Sequence, residues 1–342
     1  MAAVTKLNNL LGIKVPIISA PMTFSSTTEM AAAVASAGGF GFLGAGFDNP
    51  AQLTKTLQSV RSILNTPSNE PIPTGFGFIG WILDKTESSP EPCIPAVLAQ
   101  RPKAIWFAFG DNLGKYIAQV REYDLKREHK TRVFVMVASV EQALRAANEW
   151  GADVIVAQGF EAGGHGGVKA PPLRVLLQAV LEVLPNGPPV VAAGGIATGA
   201  DIASLLLTGA AGVVVGTRLL CTEESSYDDT LKQALIEAGH TATEKSRAYD
   251  EVFRTAYWPE DVDGRAIANK ILDDVKDGLS LEERLKRYDE SKESGKAERR
   301  VIWAGAGAGY LTKVEKTKDV VAALYEEASR LLQSAPSVLP AY

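Results

Sequence analysis

Residues 153–167 read DVIVAQGFEAGGHGG. The segment 153–157 is a short β-branched run of the kind that forms a strand buried on both faces, and it stops at Gln158 in a loop of five glycines and one histidine. Glycines at the C-terminal end of a strand let a ligand approach bare backbone amides. Of the three histidines in the chain, His165 alone is set in such a loop.

The same unit recurs on both sides of this stretch. Short apolar runs predict strands at 16–20, 39–43, 74–79, 104–109, 132–137, 153–157, 189–193 and 211–215. Helical patterns fall between them at 28–37, 50–64, 92–100, 112–126, 140–150, 172–184 and 199–207. In the fifth of these, Val140, Ala143, Leu144 and Ala147 form one apolar stripe, with Glu141, Arg145 and Glu149 elsewhere. Regular strand–helix alternation implies parallel strands joined by right-handed crossovers. Eight such units favour an α/β fold closed as a (β/α)8 TIM barrel, whose strand-end loops gather on one face. An open dinucleotide-binding sheet has only a decoy in its support. Gly39, Gly41 and Gly44 spell GxGxxG, but they follow a helix and run through the strand instead of joining a strand to a helix. Gly305, Gly307 and Gly309 are followed by no βαβ unit.

The pattern changes after the eighth strand. Residues 221–300 show no clear strand, and 261–300 are dense in charge, which reads as a largely helical insertion with solvated faces or as a lid over the barrel mouth. The apolar, glycine-rich segment 303–311 and a helix at 314–332 then return to the barrel and close it. The expected organisation is a barrel core at 1–220, the insertion at 221–300 and the return at 301–342.

Composition narrows the partners. A net charge of -5 with no basic, aromatic-interleaved patch argues against nucleic acid. Cys93 and Cys221 lie far apart without metal-ligand or disulfide spacing, so no metal site is expected and a reducing compartment fits. The N-terminal apolar residues are broken by Lys6, Asn8, Asn9, Lys14 and Pro16, unlike a signal peptide, and no run reaches the roughly 18 residues of a membrane span. The C-terminal Pro340, Ala341 and Tyr342 do not match a peroxisomal signal. A cytoplasmic protein is expected, with no membrane partner and with homo-oligomerisation left open.

Two later strand ends add a second signal. Gly194 and Gly195 follow the seventh strand, and Val215, Gly216 and Thr217 end the eighth. Glycines between a strand and a helix present oriented amides to an anion, and in barrels this pair of loops is the usual phosphate site. Thr217 adds a hydroxyl donor.

Together SAPM at 19–22, QGFEAGGHGG at 158–167, AAGGI at 192–196, VVVGTR at 213–218 and WAGAGAG at 303–309 make the chain resemble the nitronate monooxygenase family, also called 2-nitropropane dioxygenases. The resemblance implies an FMN-containing barrel that oxidises alkyl nitronates or nitroalkanes with O2 to carbonyl compounds and nitrite. By it, Ala20, Pro21 and Met22 pass behind the flavin ring and Gln158, Gly163 and Gly164 contact flavin or ribityl atoms. Gly194, Gly195, Val215, Gly216 and Thr217 would hold the phosphate, and His165 matches the family's active-site histidine. Two positions depart from the pattern. Ile79 stands where the family usually has an asparagine, and residues 106–110 read WFAFG where members often show a histidine. Both changes make the pocket more apolar. An FMN-dependent NAD(P)H:quinone or enoyl reductase is the alternative on the same fold, and a redox-silent barrel binding a phosphorylated ligand is a third reading.

Overall fold

Among the described residues eleven strands organise the chain: β1 (Ile17–Ser19), β2 (Gly41–Gly44), β3 (Ile72–Ile79), β4 (Pro102–Ala108), β5 (Arg132–Val137), β6 (Val154–Gln158), β7 (Gly164–Gly167), β8 (Val190–Ala193), β9 (Gly212–Val215), β10 (Thr243–Ser246) and β11 (Val262–Ile267). The structure is a computed structural model describing residues 5–334. The C-terminal tripeptide read above for a targeting signal lies outside those residues. Eight strands form one parallel sheet in the order β1-β9-β8-β6-β5-β4-β3-β2, and a parallel bridge between Ile18 and Phe40 brings its two edges together. This is the nearly closed (β/α)8 barrel that the alternation implied. Each of the eight predicted strands is present, with ends moved by no more than two residues.

Side-chain alternation divides the core in two. In β4, Ala104, Trp106 and Ala108 point into the barrel, while Ile105 and Phe107 pack under the helices. The interior is filled by Phe40, Phe42, Trp106 and Phe134, with Phe42 and Phe134 in edge contact at 5.1 Å. Gly75 makes room for them, because a Cβ there would stand 2.3 Å from the Phe42 ring.

A helix that the sequence reading did not place, Lys6–Leu11, plugs one end. Leu7 and Leu11 join the interior cluster, and the Leu7 Cδ2 atom would lie 2.5 Å from a Cβ on Gly212 at the start of β9. With the N-terminal end of the strands closed in this way, a ligand has access from the opposite end. The last helix, Thr317–Ser334, packs against both Gly199–Thr208 and Thr28–Ser36 and so fills the eighth place in the helix layer. Its Glu327 accepts a hydrogen bond from the Gly199 amide at 2.8 Å. The predicted helix at 140–150 begins as an α-helix, Val140–Leu144, and widens to a π-turn over Arg145–Glu149, where the Trp150 amide reaches back to the Arg145 carbonyl.

The segment 221–300 corrects the sequence reading. It contains two strands, β10 and β11, which with β7 form a separate antiparallel sheet in the order β10-β11-β7. These strands escaped because their sequences, TEKS and VDGRAI, carry charge in place of an apolar alternation. Arg265 in β11 is buried all the same, its guanidinium over the Phe160 ring at 4.6 Å and hydrogen-bonded to the Phe160 carbonyl. The third strand, β7, is the second half of the glycine loop itself. His165 therefore sits on a strand, paired with Gly264.

Candidate active site

A large cavity opens at the C-terminal ends of the barrel strands, and most of the predicted residues converge on it. Ala20, Pro21 and Met22 cross the mouth after β1, and Gln158, Gly163, Gly164 and His165 reach it after β6. Gly194, Gly195, Gly216 and Thr217 complete one corner. Val215 does not join them. It is fully buried in the layer between strands and helices, and its carbonyl is taken by the Ala20 amide at 3.0 Å.

The corner near Thr217 is shaped for an anion. The Gly195 and Gly216 amides have no protein acceptor among the described residues. Gly194 and Gly195 take φ values of 116° and 71°, a region that favours glycine. Gly216 is glycine for a different reason. A Cβ there would meet only Ala20 Cβ and Met22 Sδ, both at 3.7 Å, so protein packing does not demand its absence. The space it leaves faces the cavity. Thr217 Oγ1 accepts a hydrogen bond from the Gly305 amide at 2.8 Å, which leaves the hydroxyl hydrogen to donate elsewhere. The following helix, Gly199–Thr208, contributes less than its position suggested. Its first amides are already capped by Thr198, Asp201 and Glu327, so the open donors are those of the strand-end glycines.

A flavin mononucleotide meets three features that fit it. Gln158 Oε1 is buried without a partner, at the cavity wall where a ring N–H or a ribityl hydroxyl would satisfy it. The Gly216 cradle and the amides beside it suit a phosphate. Pro21 packs its ring onto Gly77 of β3, where a Cβ would stand 2.4 Å from Pro21 Cβ, so the 20–22 segment forms a flat floor.

His165 lines the same cavity. Its Nε2 lies 2.8 Å from Asp250 Oδ1, and the same oxygen accepts a hydrogen bond from Thr255 Oγ1 at 2.8 Å. Asp250 is only 4% exposed as a side chain. A carboxylate that receives two donors accepts from Nε2–H, so Nδ1 is the nitrogen with a free lone pair. The imidazole is stacked on Trp258 at 3.6 Å and 13°, with Trp303 at 4.8 Å on another side. Gly264, across from His165 in the small sheet, is required by that second ring, because a Cβ there would come within 2.3 Å of Trp303. Tyr227 also lines the cavity. Burial pushes its phenol well up, so it stays a neutral donor, here to the Trp303 carbonyl at 3.3 Å.

Asp250, Thr255, Trp258 and Tyr227 were missed because they lie in the segment read as a solvated insertion. The available signal was Trp258 with Phe253 and Tyr257, an aromatic cluster ahead of a charge-rich stretch. Glu161 has a structural role, both carboxylate oxygens accepting from the Leu173 amide at the start of Leu173–Val183. The second glycine run also acquires a purpose. Gly305 packs against the backbone of 161–163 and Gly307 against Gly195, each at distances a Cβ would close to 2.7 Å. This run is the wedge that holds the two ligand loops apart. His129 bonds the Pro102 carbonyl and is pushed below its ordinary range chiefly by burial. Cys93 and Cys221 are buried and unpaired, the Cys221 thiol pushed up by burial to about 11, so neither is a nucleophile.

A family profile described as nitronate monooxygenase matches residues 4–70 and 86–327 of this chain. A nitronate monooxygenase of Neurospora crassa is 33% identical over 359 residues, spanning 97% of this chain and 94% of the relative. Among solved structures, FabK from Thermotoga maritima superposes with a TM-score of 0.79 at 25% identity, covering 99% of this chain and 100% of the other. Nitroalkane oxidase from Streptomyces ansochromogenes superposes with a TM-score of 0.76 at 25% identity, covering 96% and 99%.

Proposed function

The chain belongs to the nitronate monooxygenase family, and from that premise we propose that it is a flavin enzyme, specifically FMN-dependent, that oxidises alkyl nitronates and their parent nitroalkanes with O2. The observation that carries the reading is His165, held by buried Asp250 and lining the same cavity as Ala20, Pro21 and Met22. When bound, FMN supplies the electron acceptor for the nitronate and the partner for oxygen. Gly195, Gly216 and Thr217 would hold its phosphate, and Gln158, Gly163 and Gly164 would line its body.

The remaining steps belong to the chain. A nitroalkane must lose its α-proton to become an electron-rich nitronate, and His165 Nδ1 takes that proton. The imidazolium is then stabilised by the Asp250 carboxylate behind it, while the anionic nitronate stays in front. Trp258 fixes the ring plane by stacking, so the base meets the substrate in one orientation. Residues 221–300 act as an insertion that caps the mouth, placing Tyr227, Phe253, Thr255 and Trp258 over a pocket whose base is the barrel. The cytoplasm is the compartment assigned to this activity, supported by two buried, unpaired cysteines and by the absence, among the described residues, of a helix long and apolar enough to cross a membrane.

His165→Asn tests the assignment. The variant should keep its flavin spectrum yet lose turnover of neutral nitroalkanes by about 100-fold or more, the lower range for a positioned base. A pre-formed nitronate has already lost the proton and should be affected less. Equal losses on both forms would mean that His165 only holds the substrate, and no loss on either would remove it from the mechanism.

A further inference from the structure

We propose that the substrate carries an uncharged aromatic or long unbranched alkyl substituent, seated along a wall of rings that runs from His165 to solvent. The inference rests on the reading of the site as nitronate-oxidising and names the class of nitronate.

Charge comes first. Among the described residues, no Asp, Glu, Lys or Arg lines the cavity. A second anionic group on a short substrate would be buried among apolar atoms with no counter-charge, at a cost that excludes it. Instead, ring contacts lead outward from the imidazole. Trp258 stacks on His165 at 3.6 Å and meets Phe109 at 5.0 Å and Trp81 at 5.4 Å; Trp81 in turn backs Phe47 at 5.9 Å. On the facing lip, Phe24 meets Phe253 at 6.2 Å. Phe24 and Phe47 are 64% and 53% exposed, an unusual state for large apolar side chains that line a cavity.

Backbone strain gives an independent sign. Phe24 and Phe109 adopt φ values of 65° and 59°, a conformation that bulky residues rarely take. Glycine would meet either turn without strain, so what the chain gains is a ring aimed at the cavity. Ile79 and the aromatic end of β4, Trp106 and Phe109, line the same pocket with apolar side chains.

The test is a homologous series, nitroethane to nitrohexane plus phenylnitromethane, with 3-nitropropionate as the charged member, each presented as nitronate. If each buried methylene contributes its usual transfer energy, kcat/KM rises about fourfold per carbon until the tail leaves the lip. The 3-nitropropionate nitronate falls at least about tenfold below the butyl compound of similar length. Phe47→Ala flattens the slope. Phe24→Gly flattens it too, without lowering Tm, because the ring is lost together with its strained backbone. Affinities of the neutral nitroalkanes for His165→Asn, read by quenching of tryptophan fluorescence, give the same order without turnover. A flat or inverted order in both assays overturns the proposal, as does preference for the carboxylate. Graded binding with no turnover of any nitronate by wild type leaves the apolar tail standing and removes the nitronate reading instead.

Discussion

Asp250 decides which nitrogen of His165 is available, because it takes Nε2–H and leaves Nδ1 for the substrate. It is not among the residues that line the cavity and acts through His165, and is therefore a positioning residue. Asp250→Asn should lower kcat on neutral nitroalkanes by about tenfold or more, short of the roughly 100-fold loss expected for His165→Asn, with little change in KM. Asp250→Glu should recover part of the loss, since a carboxylate returns; a purely structural role would give a raised KM and a lower Tm with no such recovery. Gly216→Val belongs to the same scale. Its Cβ has room at 3.7 Å from Ala20 and Met22, so the barrel should fold, but the added methyls enter the phosphate cradle. The variant should lose FMN on dialysis that wild type retains, and full retention would refute the phosphate assignment. His165 was legible in the sequence because its glycine setting is rare for a histidine. Asp250 was not, because its partner lies 85 residues away and nothing local marks a lone aspartate as buried.

At the level of elements, the barrel strands were readable since their β-branched runs are buried on both faces and bounded by glycine. The small sheet of β7, β10 and β11 was hidden by composition. A strand such as VDGRAI hides a buried arginine behind a polar pattern, and GHGG has no side-chain alternation to detect. The charged helices of the insertion also do more than face water. Asp274, 4% exposed, is bonded by Arg299 at 2.7 Å and Arg287 at 3.0 Å, which ties the segment Lys270–Lys276 to its neighbours. Hydrogen bonding from Arg299 holds this carboxyl below its ordinary range, against the upward push of burial. A folded value below the unfolded one means that the contribution is complete above the unfolded pKa and is lost as pH falls through the folded pKa. Asp274→Asn should thus cost about 2 kcal/mol near neutrality, and its Tm deficit should shrink below about pH 4. Thermal melts of both proteins across that range check it; a deficit independent of pH would assign the loss to packing.

At the scale of the molecule, one end of the barrel is plugged by Lys6–Leu11, and residues of the segment 221–300 line the cavity at the other. The number and order of the barrel strands, the face on which the cavity opens and the paired glycine loops could all be read from the chain, because each depends on local periodicity or on glycine at a strand end. A lid was one of the two readings of 221–300, but the residues that form it were not legible, since Tyr227, Trp258 and Trp303 come from separated segments and from beside a sheet with little sequence signature. The central claim is that this enclosed site oxidises nitronates through a bound flavin. Purified protein mixed anaerobically with a nitronate, followed by absorbance, tests it most directly. The account predicts a yellow protein whose flavin band bleaches with the nitronate, returns on admitting air with release of nitrite, and does not change with NADH. A flavin bleached by NADH and indifferent to nitronate, or a colourless protein that FMN does not restore, would contradict it.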